Sequence, residues 1–352
     1  MYILSMSIII STIIAILWLV IFKKLWILDT PWKYKDLTRK TPVPRLMGVF
    51  LILSVLLSII LLLPTYWNFK EVEYLFAGAI FLGIIAIIDD IYGIKAHYRF
   101  LIQIIVAIIG ILWWAMISHF NFFWEIIYLP YWLWFFVSIV WFVLIINSFN
   151  WFDGINGMWA GIAMIWFFTI ALVLKFIIFP YYHIVWNEKT HLMLLLNLSL
   201  IMTWVSFVFT ILEYKPFWLL RDVGIMFLWY VLAYLSLFTG AKVGILLVVL
   251  SLVIFDAFWV IINRIKNKKN PMKGDYTHFH HRLMKHWWKR EEIRAFVWIW
   301  SIFFMILMVL QWTNTKAKYI IFIMIFILFF WTHIYLYWIK KIPHWMWDRK
   351  WV

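Results

Sequence analysis

Long apolar runs alternate with short polar segments along the whole chain, and this alternation predicts its secondary structure. Each run has about 20 residues, enough to cross roughly 30 Å of hydrocarbon as an α-helix. Eleven runs lie near 3–22, 46–63, 74–88, 100–117, 131–148, 158–179, 191–212, 223–240, 244–262, 297–313 and 319–338. The pattern therefore predicts an all-α, polytopic membrane protein of about eleven transmembrane helices.

The polar segments are too short to form a separate soluble core. We therefore expect one integral membrane domain over 1–352, with loops on one face at 23–45, 89–99, 147–157, 213–222 and 263–296. Composition supports this interpretation, since 66% of the residues are hydrophobic and 13% are charged. Soluble proteins carry about a quarter charged residues.

The basic residues predict the orientation of the helices. The loops of that face, with the C-terminal tail, hold 25 of the 31 Lys and Arg. Because Lys and Arg concentrate in cytoplasmic loops, this face is expected to be cytoplasmic. An odd number of spans then places the N-terminus outside and the C-terminus in the cytoplasm.

The segment from Asn147 to Gly157 breaks two apolar runs with Asn150, Asp153 and a pair of glycines. Polar groups at a membrane border cost free energy unless they are paired or used. Glycine lets the backbone approach a ligand closely. The segment therefore predicts a substrate site at a membrane face.

Two further acidic positions lie at predicted membrane borders. Asp89 and Asp90 directly follow an apolar run, where adjacent carboxylates repel each other unless a cation lies between them or one is protonated. On one interpretation they bind a metal or act as a general base. On the other they are solvated residues at the end of a helix. Asp222, beside Gly224, is equally consistent with a metal ligand and with a helix N-cap.

A dense group of histidines, His278, His280 and His281, precedes Arg282. Zinc is poorly supported, because the chain has no Cys and the group has no His pair at i, i+4. Imidazoles among basic residues suit phosphate oxygens better. A basic loop that touches anionic lipid headgroups is the competing interpretation.

Two basic residues leave their roles open. Arg45 follows two prolines that make an extended entry into the second span, and it suits either lipid phosphates in general or one phosphate in particular. Arg99 and Gln103 are four residues apart and share a helix face. These two residues could bind a ligand. It is equally consistent with the sequence that Arg99 lies at the membrane border and that Gln103 forms a hydrogen bond between helices.

Together these groups resemble the polyprenyl-phosphate N-acetylhexosamine-1-phosphate transferases. That superfamily includes the undecaprenyl-phosphate GlcNAc-1-phosphate transferases and the phospho-MurNAc-pentapeptide translocases. The matching motifs are Pro42-Val43-Pro44-Arg45, Asp89-Asp90 with Gly93, Asn147…Asn150…Asp153-Gly154…Gly157, Asp222 with Gly224, and His278-Phe279-His280-His281-Arg282-Leu283. The His-x-His-His form is more similar to the GlcNAc-1-phosphate branch.

The resemblance implies an enzyme of the bacterial inner membrane with a cytoplasmic active site. Polyprenyl phosphate, here undecaprenyl phosphate, would attack the β-phosphate of a UDP-N-acetylhexosamine, with UDP-GlcNAc as the preferred donor. UMP would leave, in the first membrane step of cell-envelope glycan synthesis. The cofactor would be Mg²⁺, with Mn²⁺ as an alternative. The bilayer is an expected partner, a homodimer is allowed, and no nucleic acid is expected.

The resemblance also assigns roles to residues. Asp89 would be the general base, with Asp90 and Asp153 as further catalytic carboxylates. Asp222 and Asp90 would hold the metal. The implied substrate-binding residues are Arg45, Asn150, Asn156, His278, His280, His281 and Arg282.

Several positions depart from the family pattern. Asn156 stands where the family has Asp, Arg221 where it has Gly, and Glu213 near a usual Asn. A catalytically altered family member therefore remains an alternative, as does a transporter or lipid flippase.

Tryptophan is unusually frequent, with 28 Trp against 12 Gly. Trp229 and Trp287 occupy positions where the family has Gly, and Trp159 lies among small residues. Our hypothesis is that some of these Trp codons are UGA codons that the source organism reads as Gly.

Overall fold

A computed structural model describes the chain at residues 2–25, 28–29, 43–44, 47–63, 70–112, 119–122, 125–150, 155–181, 186–214, 220–238, 250–268, 278–285, 288–310, 320–321 and 323–331. Helices dominate these residues. They are α1 (Tyr2–Leu25), α2 (Met47–Leu62), α3 (Lys70–Tyr92), α4 (Ala96–Ile111), α5 (Tyr131–Asn150), α6 (Met158–Val173), α7 (Phe179–Tyr181), α8 (Trp186–Glu213), α9 (Arg221–Phe238), α10 (Ser251–Lys266), α11 (Phe279–Lys285), α12 (Arg290–Leu310) and α13 (323–331). A π-helical segment, Leu174–Ile178, joins α6 to α7.

Two short antiparallel strand pairs complete the described structure. β1 (Leu28–Asp29) pairs with β2 (Val43–Pro44), so the chain returns to its starting point before α2 begins. β3 (His119–Phe122) pairs with β4 (Glu125–Tyr128) between α4 and α5. The hydropathy pattern did not predict these strands, because each has only two or four residues.

The prediction of an α-helical membrane protein is confirmed. Among the described residues, Val72–Asp89, Met158–Ile178 and Lys189–Glu213 are long and apolar enough to cross a membrane. Shorter apolar helices such as Met47–Leu62 and Val223–Leu237 lie beside them. The number of eleven spans and the orientation of the termini remain predictions.

Helix α9 lies at the centre of the fold. All of its side chains from Val223 to Ser236 are buried, so it is enclosed on every side. It packs against α2, α3, α5 and α6, and α6 in turn packs along α8. A helix that is apolar all round is stable only in such surroundings.

The polar motifs lie at helix ends more than in loops. α3 continues through Asp89 and Asp90, and only Gly93–Lys95 separates it from α4. α5 continues to Asn150, and α9 already begins at Arg221. Hydropathy marks where a helix stops being apolar, whereas its backbone hydrogen bonds continue into the polar residues.

A glycine contact fixes the start of α9 against the start of α2. A Cβ atom added to Gly48 would overlap the backbone of Val223 and Gly224. A Cβ atom on Gly224 would lie 3.1 Å from Cα of Gly48. Small residues allow helices to approach this closely, and the contact lies directly beside Asp222.

Candidate active site

Asp89 closes the turn between α3 and α4. Its Oδ2 lies 3.0 Å from Nη1 of Arg99, and its Oδ1 accepts the backbone N–H of Ile94 at 2.6 Å. Gly93, at a φ of +75°, donates its N–H to the Asp89 carbonyl. Both carboxylate oxygens therefore already have a partner. The structure assigns Arg99 to an ion pair, a role that the sequence had left open.

A partly buried pair of amide side chains lies next to this ion pair and reaches the following motif. Asn147 of α5 donates its Nδ2 to Oε1 of Gln103 on α4 and to the carbonyl of Val143. Gln103 is fully buried, and its Nε2 has no hydrogen-bond partner among the described residues. Arg99 and Gln103 on one face of α4 thus connect Asp89 with Asn147.

The histidine motif is anchored by Asp256, a fully buried residue of α10. Its Oδ2 lies 2.9 Å from Nδ1 of His278. Its Oδ1 accepts the backbone N–H of Phe279 at 2.9 Å and lies 3.4 Å from Nη2 of Arg282. One carboxylate therefore contacts two predicted site residues and the first backbone N–H of α11.

The other histidines lie beside this anchor. The His280 ring stacks near His278, with centroids 6.1 Å apart, and lies 4.0 Å from the ring of His281. Burial, and then the positive charge of His281 and His278, lower the pKa of His280 well below its ordinary value. Burial also lowers the pKa of Arg282, although Asp256 opposes this change.

A third cluster joins Asn156 to α12. The carbonyl of Asn156 accepts a hydrogen bond from Nη1 of Arg294 at 2.8 Å. The Arg294 guanidinium lies 4.0 Å above the ring of Tyr214, which follows the end of α8. Between α8 and α9, Oε1 of Glu213 accepts the backbone N–H of Leu220 at 2.5 Å. Arg294 therefore connects segments that the sequence predicted to be two separate loops.

Helix α12 contacts both the histidine motif and Asn156. Phe279 packs against Phe296 with ring centroids 6.2 Å apart, and Arg294 lies two residues earlier on the same helix. Motifs that are distant in sequence therefore meet at the beginning of α12.

For several predicted site residues the structure describes only the backbone, or does not describe the residue. Arg45 and Asp153 lie outside the described residues. Asp90, Asn150 and Asp222 are placed by their backbone at the ends of α3 and α5 and the start of α9. Within the described part of the chain, no group of three His, Asp or Glu forms a metal cluster. The assignments to catalysis, substrate and metal remain predictions.

Comparison with known proteins shows what this chain is similar to. Residues 72–240 match the model of glycosyl transferase family 4. The matched range contains the predicted site residues from Asp89 to Asp222. Over this range, just under half of its length, the chain is similar to glycosyl transferase family 4.

A curated relative of this chain comes from Bacillus subtilis (strain 168). It is named a probable undecaprenyl-phosphate N-acetylglucosaminyl 1-phosphate transferase and is 29% identical over 251 residues. The match covers 69% of this chain and 66% of the relative, just under two thirds of the relative's length.

The sequence pattern alone gave no role to two residues of this candidate site, Asp256 and Arg294. Asp256 lies inside the predicted ninth span, 244–262, and Arg294 lies in the predicted loop 263–296. Asp256 did carry a signal, because an ionisable residue inside an apolar run needs a partner. The identity of that partner depends on how α10, α11 and α12 pack.

Proposed function

We propose that this protein transfers N-acetylhexosamine 1-phosphate from a UDP-sugar, with UDP-GlcNAc as the first choice, to undecaprenyl phosphate. UMP is the second product. The reaction is the first membrane step of a cell-envelope glycan, at the cytoplasmic side of the bacterial inner membrane.

The observation that carries this proposal is the match to the Bacillus subtilis relative, whose printed name describes this type of transfer. The clustering of cationic and imidazole groups at the beginning of α11 and α12 supports it. His278, Arg282 and Arg294 are partly or fully buried there. Such groups favour anionic substrates in a site with restricted access to water.

The proposed chemistry makes one P–O bond and breaks another. An oxygen of the lipid phosphate attacks the β-phosphorus of the UDP-sugar, and the bond from that phosphorus to the bridging oxygen of UMP breaks. Both reactants are anions, so cationic side chains must offset their repulsion in the transition state. In this proposal His278, His281 and Arg282 contact phosphate oxygens, and Asp89 or its neighbour Asp90 keeps the lipid phosphate deprotonated.

A divalent cation fits the residue types at the helix ends. Asp90 and Asp222 offer carboxylate oxygens, the ligands that Mg²⁺ prefers. Bound there, Mg²⁺ would supply positive charge to the diphosphate.

The test uses membranes from cells that express the full chain, incubated with radiolabelled UDP-GlcNAc, undecaprenyl phosphate and Mg²⁺. We expect a labelled lipid and an equal amount of UMP, and we expect both to disappear in Asp222→Ala. A wild-type protein that forms no lipid product and no UMP with any UDP-N-acetylhexosamine would refute the proposal. A parallel reaction with UDP-GalNAc shows which of the two UDP-sugars is the donor.

The same assay separates the alternatives. Saturable binding of undecaprenyl phosphate without turnover would indicate an altered family member, in which Asn156 and Arg221 replace residues needed for the reaction. Movement of a labelled lipid across sealed vesicles without UMP release would indicate a flippase.

A further inference from the structure

The position of Asp256 inside the fold needs an explanation. It lies in the apolar sequence of α10, and its side chain is 0% exposed. An isolated carboxylate in such a place is strongly unfavourable, so buried charges are paired or hydrogen-bonded. All the contacts that the structure gives to Asp256 go to one place, the beginning of α11.

The two oxygens of Asp256 have different partners. Oδ1 accepts the backbone N–H of Phe279 and approaches Arg282. The first N–H groups of a helix have no partner within the helix, and Oδ1 satisfies one of them from another helix. Oδ2 faces only Nδ1 of His278 among these contacts. The orientation of the carboxylate is therefore fixed by the backbone, and Oδ2 has to act as an acceptor.

This geometry determines where the proton of His278 lies. Because Oδ2 of a carboxylate accepts, Nδ1 of His278 must donate. In the proposed function, Nε2 is then the ring nitrogen that would contact a substrate phosphate. It donates to a phosphate oxygen when the ring carries both protons, and it accepts a proton when the ring is neutral. A carboxylate that orients a functional histidine in this way is a recurring arrangement in enzymes.

We propose that Asp256 is the positioning residue of the histidine motif: it holds the Nδ1 proton of His278 and thereby presents Nε2 to the substrate phosphates. The assignment deepens the proposed transferase function and rests on it for the identity of the substrate. Asp256 itself touches no substrate in this arrangement and acts through His278.

The substitution Asp256→Asn tests the proposal with almost no change in side-chain volume. The Asn oxygen must remain towards Phe279 N–H, so its NH₂ group replaces Oδ2 and faces His278. Nδ1 of His278 then has to accept, and the proton moves to Nε2. The ring can neither carry both protons in this position nor accept a proton at Nε2.

The expected result is a loss of kcat/KM by about 10- to 100-fold, the range typical when the hydrogen-bond partner of a metal-bound histidine is removed. His278→Ala should lose a comparable factor. The double variant should be no slower than the slower single variant, because residues that act as a unit are not additive. Losses that multiply in the double variant would overturn the proposal.

Nitrogen-15 NMR of the histidine-labelled protein gives a readout that does not depend on turnover. The signal of His278, assigned by its absence in His278→Gln, should show a protonated Nδ1 in the wild type and a protonated Nε2 in Asp256→Asn. An unchanged tautomer in Asp256→Asn contradicts the proposal. If the His278 tautomer changes in Asp256→Asn but the wild-type protein has no transferase activity, only the proposed function is refuted.

Ser251→Ala is the matched control. Ser251 lies on the same helix and accepts a hydrogen bond from Nε1 of Trp300 at 3.2 Å, so its loss loosens α10 without touching α11. We expect near-wild-type activity and an unchanged His278 tautomer. Equal losses in Ser251→Ala and Asp256→Asn would show that α10 acts only as structural support, against the proposal.

Discussion

Nη1 of Arg99 lies 3.0 Å from Oδ2 of Asp89, and this ion pair joins the end of α3 to the start of α4. The Asp89 side chain is 7% exposed and the Arg99 side chain 28%. Removal of the guanidinium would therefore leave a nearly buried carboxylate without its counter-charge, which is far more costly than the loss of a surface pair.

Arg99→Met should lower the free energy of unfolding by about 1–3 kcal/mol and reduce the proposed transferase activity, because Asp89 is no longer held in place. Thermal unfolding in detergent and the membrane assay measure the two effects. Lys95→Met removes a positive charge from the exposed part of the same turn and serves as the control. Similar behaviour of the two variants would contradict a specific role for Arg99.

The contact between Gly48 and Gly224 makes a prediction about helix packing. In Gly48→Ala the new methyl group would overlap the backbone of α9, which cannot move aside as a side chain can. We expect a destabilisation of about 1–3 kcal/mol and a displaced Asp222 with loss of turnover.

Gly83→Ala is the control for this substitution. Its added Cβ would lie 2.9 Å from Cδ1 of Ile52, the end of a flexible side chain. It should therefore be tolerated in the same thermal and activity assays. Tolerance of Gly48→Ala as well would show that α2 and α9 are not held at this distance.

His280 predicts a dependence of stability on pH. Its pKa in the folded protein lies well below 6.5, so the unfolded chain binds a proton in a pH range where the folded protein does not. Stability should therefore be complete above about pH 6.5 and should fall as the pH is lowered towards the depressed pKa. The fall in melting temperature between pH 7 and pH 5 should be smaller in His280→Gln than in the wild type. An identical fall in both proteins would show that other groups cause it.

The tryptophan hypothesis makes a prediction about the native residue. Trp229 is buried and packs edge-to-face on Trp159, with centroids 5.8 Å apart. The indole nitrogen of Trp166 is buried with no hydrogen-bond acceptor among the described residues, and such a group costs about 1–3 kcal/mol. By contrast, Trp141 and Trp300 donate to Ser236 and Ser251.

Peptide mass spectrometry of the protein from its native cells tests this hypothesis. We expect Gly at positions 166 and 229 and Trp at positions 141 and 300. Trp at all four positions would reject the reassignment. Trp287 lies outside the described residues. The mass of the peptide that contains position 287 therefore tests a prediction made from the sequence pattern alone.

The sequence by itself determined that this is a helical membrane protein and which polar residues are candidates for its site. Apolar runs of membrane length can satisfy their backbone only as helices in lipid, so no knowledge of packing is needed. Asp89 and Asn147 were recognisable for the same reason, since polar groups beside such runs are unfavourable unless they are used, and His278 was recognisable from the density of histidines around it.

Only the tertiary structure decided which of these residues meet. Asp256 and His278 are 22 residues apart, and Arg294 and Asn156 are 138 apart. The sequence pattern carries no signal for such pairs, because helix packing depends on the shapes of whole surfaces. The contact of Gly48 with Gly224 illustrates this, since neither glycine is informative until the two helices are placed together.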